Sequence, residues 1–242
     1  MAICVFSDGR VLVADYYNKK VKLLNQQYQV VSRCVLIYHP LDICLITPSE
    51  VAVTVDDGLT HGVQFLTVKK SLLALGRKFQ LQHECRGIAH NQSDLFLTSD
   101  QALFKYSLSG KQVCRLYEDK SYYDTVWKCA VSPTGDKLYI INYSQNKLLT
   151  LARNGTLLAT FTDPELEGPM GVFVTPVGQV LVCGGLSHTI LHVDREGRSK
   201  LATLATEERD GVRSPKSVCY SSTASSIIVG QEGNNILVFR VE

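Results

Sequence analysis

Few of the residues that could do chemistry in this chain are grouped to do it. The eight cysteines, Cys4, Cys34, Cys44, Cys85, Cys114, Cys129, Cys183 and Cys219, include no C-x-x-C pair. Structural zinc modules need such closely spaced thiols, so these do not read as a metal framework. Widely separated thiols fit a reduced setting, and the expected location is cytoplasmic. Asp56-Asp57-Gly58 has the opening of a calcium loop but lacks the further spaced oxygen ligands and the closing Glu. His188 and His192 stand four apart, a spacing that joins two ligands on a helix and separates them on a strand. There is no G-x-S-x-G elbow and no phosphate-binding loop. These readings predict no catalytic residue, no metal and no small-molecule cofactor.

The elements that carry these residues repeat. "SDGRVLVADYYNKKVKLL" opens at Ser7 with a turn, an alternating apolar run, a polar loop and a second run. Related stretches begin at Thr47, Asn91, Ser132, Thr175 and Ser221. The period is therefore about 40–45 residues, with several short strands per unit, which is the mark of a propeller blade. Each unit starts on a short apolar stretch such as "DICLI" or "KCAVS", then a turn, then strands with period-2 alternation such as Val11–Ala14 and Lys137–Ile141. Helical periodicity is absent. The predicted fold is all-β: one six-bladed β-propeller over 1–242, with blades at 1–38, 39–80, 81–120, 121–165, 166–210 and 211–242. The last unit ends at "ILVFRVE" without a fourth strand. Its outer strand is expected to be missing, or supplied from residues upstream in a longer protein, because an open sheet edge is a liability.

Aligning the units gives a shared inner-strand position occupied by Cys4, Cys44, Ile88, Cys129, Val172 and Val218. Cysteine in a slot shared with Ile and Val behaves as a small hydrophobe. Two residues earlier stand Ala2, Asp42, Arg86, Trp127, Met170 and Lys216, which should ring the channel mouth on the face holding the blade-to-blade linkers. Arg, Trp and Met are enriched where proteins bind one another, and Trp127 is the only Trp. One reading makes this ring, with Lys128, a recognition site for a protein or for single-stranded RNA; the other packs Trp127 between blades and leaves the charges solvated. Tyr16, Tyr17, Lys19 and Lys20, between the second and third strands, fall on the same face. So does the linker "YEDKSYYDT" from Tyr117 to Thr125.

Composition narrows the class. The net charge of +2 is too small to imply a polyanionic partner by itself. No apolar run reaches the ~20 residues of a bilayer span, so no membrane partner is expected. The sequons at Asn91, Asn142 and Asn154 read as chance matches without a secretory signal.

The first unit resembles an NHL repeat through its Gly9 turn, the strand ending in Asp15, and Asn18. "PMGVFVTPVGQVLVCG" is similar to the family's Pro-x-Gly-Val opening, through Pro169, Gly171 and Val172. Together with "FTDPELEGPMGV" and "SPKSVCYSSTASSIIVGQ", the chain resembles the C-terminal propellers of tripartite-motif (TRIM) proteins. The signature fades in later blades: Asn142 takes the Asp position in the fourth, with Asn146 nearby, and Gly184 and Gly230 take it in the fifth and sixth. The resemblance implies a non-catalytic, target-recognition module. In a longer parent carrying RING, B-box and coiled-coil segments, it would recruit a partner for ubiquitination. It implies a protein partner first, and single-stranded RNA second. The alternative is a six-bladed propeller enzyme of lactonase or lyase type with a channel metal, which would need several carboxylates, Asn or His at the inner-strand ends. Asp42 is the only acid in the predicted ring.

Overall fold

The alternating runs form strands, and consecutive strands pair antiparallel through turns of two to six residues. The computed structural model describes residues 1–233 and 235–240, which build six antiparallel sheets in a ring: a six-bladed β-propeller. The first sheet contains β1 (Ala2–Val5), β2 (Val11–Asp15), β3 (Lys20–Leu24) and β4 (Val30–Val35). The second contains β5 (His39–Thr47), β6 (Glu50–Asp56), β7 (His61–Lys69) and β8 (Leu72–Leu81). The third is β9 (Ile88–Asn91), β10 (Asp94–Thr98), β11 (Ala102–Ser107) and β12 (Gln112–Glu118). The fourth is β13 (Lys128–Val131), β14 (Lys137–Asn142), β15 (Lys147–Ala152) and β16 (Leu157–Phe161). The fifth is β17 (Pro169–Val174), β18 (Val180–Gly184), β19 (Thr189–Val193) and β20 (Lys200–Ala205). The sixth has β21 (Pro215–Ser221), β22 (Ser226–Gln231) and β23 (Ile236–Arg240), three strands among the described residues.

The core is divided among the blade interfaces. Leu12 and Leu23 of the first blade pack on Val51, Val53 and Leu66 of the second. Phe65 meets Leu95 and Leu97; Phe96 meets Leu138 and Ile140; Tyr139 and Ile141 meet Val180 and Val182; Leu181 and Ile190 meet Val218 and Val229. Each such Leu, Ile or Phe contributes roughly 1.5–3 kcal/mol by leaving water. The ring closes in the same way, by packing Ile3, Val11 and Val13 on Cys219 and Ile228. Among the described residues two bonds join this seam: Ile3 N donates to Ser217 Oγ at 2.9 Å, and Thr223 Oγ1 donates to Ser7 O at 2.8 Å.

Two details depart from the sequence reading. A single helical turn, α1 (Glu207–Asp210), interrupts the linker between the fifth and sixth blades. Thr206 caps it, accepting from Arg209 N at 3.2 Å, and Gly211 ends it at φ 72°. One turn is too short to produce a helical period. Tyr117 and Glu118 are not loop residues either: they extend β12 and pair with Leu103 and Ala102. No helix among the described residues is long and apolar enough to cross a membrane.

Candidate recognition face

In these sheets the loops after each second strand and the linkers between blades emerge on one face, since every strand pair is antiparallel. Local chemistry fixes the loop shapes. Asp15, at the end of β2, accepts from both Asn18 N (3.2 Å) and Asn18 Nδ2 (3.0 Å) and pairs with Lys22 Nζ at 2.6 Å. Burial pushes its carboxyl up, but Lys22 and Asn18 outweigh that and hold it below the usual range. The residue four beyond each strand end adopts a left-handed backbone in three blades: Lys19 (φ 49°), Asn146 (φ 54°) and His188 (φ 56°). The Asp/Asn signature is thus a loop cap, and the loop survives its loss at Gly184.

The six predicted ring positions separate. Ala2 is buried among Leu12, Ile43 and Val53, so it cannot meet a partner at the mouth. Asp42 and Lys216 line the channel. Met170 is half-buried and lies against the backbone of Gly185. Arg86 and Trp127 are brought together: the guanidinium sits 4.9 Å from the indole centroid, and Tyr143 packs on the indole at 5.6 Å. The indole also contacts the core between the fourth and fifth blades, so Trp127 is half core and half surface. Buried threonines hold both backbones. Thr54 Oγ1 donates to Arg86 O at 3.2 Å, and Thr98 Oγ1 donates to Trp127 O at 2.8 Å while accepting from Gly87 N at 2.7 Å. Sequence reasoning missed these threonines; the available signal was a polar residue in an otherwise apolar second strand.

Asp42 and Lys128 spend their charges on each other. Lys128 Nζ lies 2.8 Å from Asp42 Oδ1 and donates to Leu41 O at 3.1 Å. The other Asp42 oxygen accepts from Ile88 N at 2.9 Å. This bracket ties the second, third and fourth blades across a channel cavity of about 230 Å³. The shared cysteine slot faces the same space. Burial pushes the Cys4 thiol up to about 12 and raises Cys44 and Cys129 as well, so all three stay protonated and unreactive.

His188, His192 and the Asp56-Asp57-Gly58 turn, set aside as ligands in the sequence, each have separate surroundings. His188 Nδ1 accepts from Ser214 N at 2.9 Å, whereas His192 lies within β19 with its Nε2 buried and unpartnered. Asp56 Oδ1 accepts from Gly58 N at 2.7 Å, and its other oxygen takes His61 Nδ1 at 2.6 Å. Among the described residues no three His, Cys, Asp or Glu side chains are placed to hold a metal ion.

The loop tips are more distinctive than the channel. Among the described residues eight large apolar side chains stand exposed in loops, and seven belong to this face: Tyr16, Tyr17, Ile37, Leu59, Tyr122, Tyr123 and Leu186. The eighth of these, Val177, lies on the other. Leu59 is 92% exposed and Tyr17 86%. Tyr16 is fixed by stacking on His39 at 4.5 Å and by His39 Nδ1 at 2.9 Å from its carbonyl. Lys19 bonds through its backbone, its carbonyl accepting from Leu36 N at 2.7 Å, and Lys20 joins the β2–β3 ladder opposite Asp15. Tyr16, Tyr17, Tyr122 and Tyr123 fall in stretches the sequence singled out. Ile37, Leu59 and Leu186 do not, since an isolated apolar loop residue belongs to no period.

Half-buried Asp124 takes a left-handed backbone (φ 56°), and its N donates to Asp100 Oδ1 at 2.8 Å. Burial, and then the neighbouring Asp100 carboxylate, push its carboxyl above the usual range. Arg86 works against that rise. Glu84 is 3.7 Å from the Arg86 guanidinium, so the cation over Trp127 has a carboxylate close by.

Comparison with known proteins places the architecture. No family model matches the chain, and no curated protein matches it. Among solved structures, a streptogramin B lyase aligns over 100% of this chain and 82% of its own, at 13% identity and a TM-score of 0.71. A chain of a mitotic checkpoint complex aligns over 100% of this chain and 73% of its own, at 15% identity and 0.67. A Bacteroides caccae protein of unknown function reaches 0.74 at 10% identity, over 96% of this chain and 89% of its own. A lyase and a member of a protein assembly thus share this ring, and at such identities the likeness shows the fold alone.

Proposed function

We propose that this chain is a non-catalytic recognition module that binds a protein partner on the linker face of its propeller. The observation that carries this reading is the segregation of exposed apolar loop side chains, among the described residues seven on that face against one on the other. Aromatic and aliphatic tips held on a rigid scaffold are the usual anchors of protein interfaces, and exposing them without a partner is unfavourable. The resemblance of the first hairpin to NHL repeats supports the same role. In a longer TRIM-like polypeptide the module would bring its partner to a ubiquitin-ligase segment. The predicted ring contributes Arg86 and Trp127 at the edge of this surface, with Met170 beside the Gly185 loop and Lys216 toward the channel. Asp42 and Lys128 serve the ring's own cohesion.

A displayed random-peptide library selected on the immobilised protein tests this. The selected peptides should lose at least about tenfold in affinity when Tyr17, Leu59 and Tyr123 are changed together to Ser, and keep it in a Val177→Ser control. Peptides indifferent to the triple change, or no enrichment at all, would overturn the proposal.

A further inference from the structure

The chain as a whole is nearly neutral, at +2, but its charges are not evenly placed. The described loops and linkers of the recognition face carry twelve carboxylates against five Lys and Arg. The loops of the opposite face carry four against six. Two consecutive linkers dominate: 162–168 brings Asp163, Glu165 and Glu167, and 206–214 brings Glu207, Glu208 and Asp210. Part of this charge is neutralised locally. Lys200 Nζ lies 3.1 Å from both Asp163 and Glu165, and Arg213 lies 3.1 Å from Glu207. Glu167 and Glu208 are exposed and form no ion pair among the described residues, and Asp100 and Asp124 face each other.

Resting on the recognition reading above, we infer that the partner segment is basic: Lys or Arg side chains alternating with apolar ones, the apolar groups seated among the exposed loop tips and the cations beside the linker carboxylates. Charge complementarity of this kind steers encounter and rejects partners of the wrong sign. The same field repels the phosphates of a nucleic acid, whose binding requires clustered Lys and Arg.

The test uses three fluorescent probes: a short peptide alternating Lys with Leu around one Trp, its counterpart with Glu for Lys, and oligouridylate. Binding is followed by anisotropy at about 50 mM and about 300 mM salt, where screening differs strongly. The basic peptide should bind tightest. The double change Glu167→Lys/Glu208→Lys should weaken it about tenfold at low salt and by much less at high salt. Equal or tighter binding of the Glu peptide or of oligouridylate would overturn the inference, as would a basic peptide indifferent to the charge reversal. The Tyr17→Ser/Leu59→Ser/Tyr123→Ser protein separates the two levels. If the charge prediction fails and this protein still loses the peptide that bound, the face is the binding surface and only the charge assignment falls; if the charge prediction holds and it loses the basic peptide, both readings stand. If it loses none, the recognition reading falls with it.

Discussion

Removing the cation of the channel bracket should loosen three blades at once. Asp42 and Lys128 are 16% and 13% exposed, and their atoms approach to 2.8 Å. In Lys128→Met the carboxylate stays in place with Ile88 N as its one remaining donor. Leaving one member of a fully buried pair uncompensated costs about 3–5 kcal/mol. Water reaching the channel reduces this to roughly 2–3 kcal/mol, between the buried and exposed limits. For a chain of this size each kcal/mol moves Tm by about 2–4 °C, so the drop should be about 5–10 °C. Asp42→Asn retains an acceptor for Ile88 N but strands Lys128, and should cost a similar amount. The double variant should cost less than the sum by about 2 kcal/mol. Scanning calorimetry and urea unfolding followed by Trp127 fluorescence give all four corners of the cycle. Additive costs, with Lys128→Met within about 0.5 kcal/mol of the parent, would refute the bracket and return Lys128 to the pool of side chains free for a partner.

Other outcomes can be checked on the same protein. Of the eight thiols, Cys114 is the exposed one, so a thiol reagent at neutral pH should label one site rapidly, and Cys114→Ser should abolish that labelling while the channel thiols react only on unfolding. Gly155 has φ 92°, and a Cβ there would meet the Leu116 carbonyl at 1.9 Å; Gly155→Ala should cost at least about 2 kcal/mol by urea unfolding, since a backbone atom of the neighbouring blade must move. His83, stacked on Phe104 at 4.1 Å, is held below the ordinary imidazole value by burial. The native state therefore binds its proton less readily than the unfolded chain. Its contribution is fully present above about pH 6.5 and is lost as pH falls below that value, and His83→Gln should flatten this part of the stability profile.

Much of the scaffold was legible because its signals are local. Alternation marks strands, turn residues bound them, and recurrence of the pair fixes six units. The inner-strand slot was legible for the same reason: cysteine replaces Ile and Val only where the pocket is small and dry. The mouth was less so. Register shifts fall between Pro40 and Asp42, Pro169 and Gly171, and Pro215 and Ser217, whereas β1, β9 and β13 pair without one. Counting back two residues from the slot therefore lands on the extra, unladdered residue in the fifth and sixth blades, Met170 and Lys216, but on a laddered one at Ala2 and Asp42. The Asp42–Lys128 pair and the Thr98–Trp127 bond join residues of different blades, and no repeat pattern encodes a contact that runs across the repeats.

The sixth sheet, three-stranded among the described residues, has a consequence for how the ring comes apart. In the fourth blade Leu148, Leu149 and Leu151 of the third strand are buried, with β16 paired alongside. In the sixth, none of Ile236 to Arg240 is buried. A circle of equal segments has no natural starting point for opening; this one has a thin segment beside its seam. Backbone amides of the sixth blade should exchange with solvent by the cheapest local opening, and heat should unzip the ring from there around both sides. The run Ile236-Leu237-Val238-Phe239 is apolar at every position and outermost among the described residues, so whatever strand pairs with it governs how readily this edge adheres to other molecules.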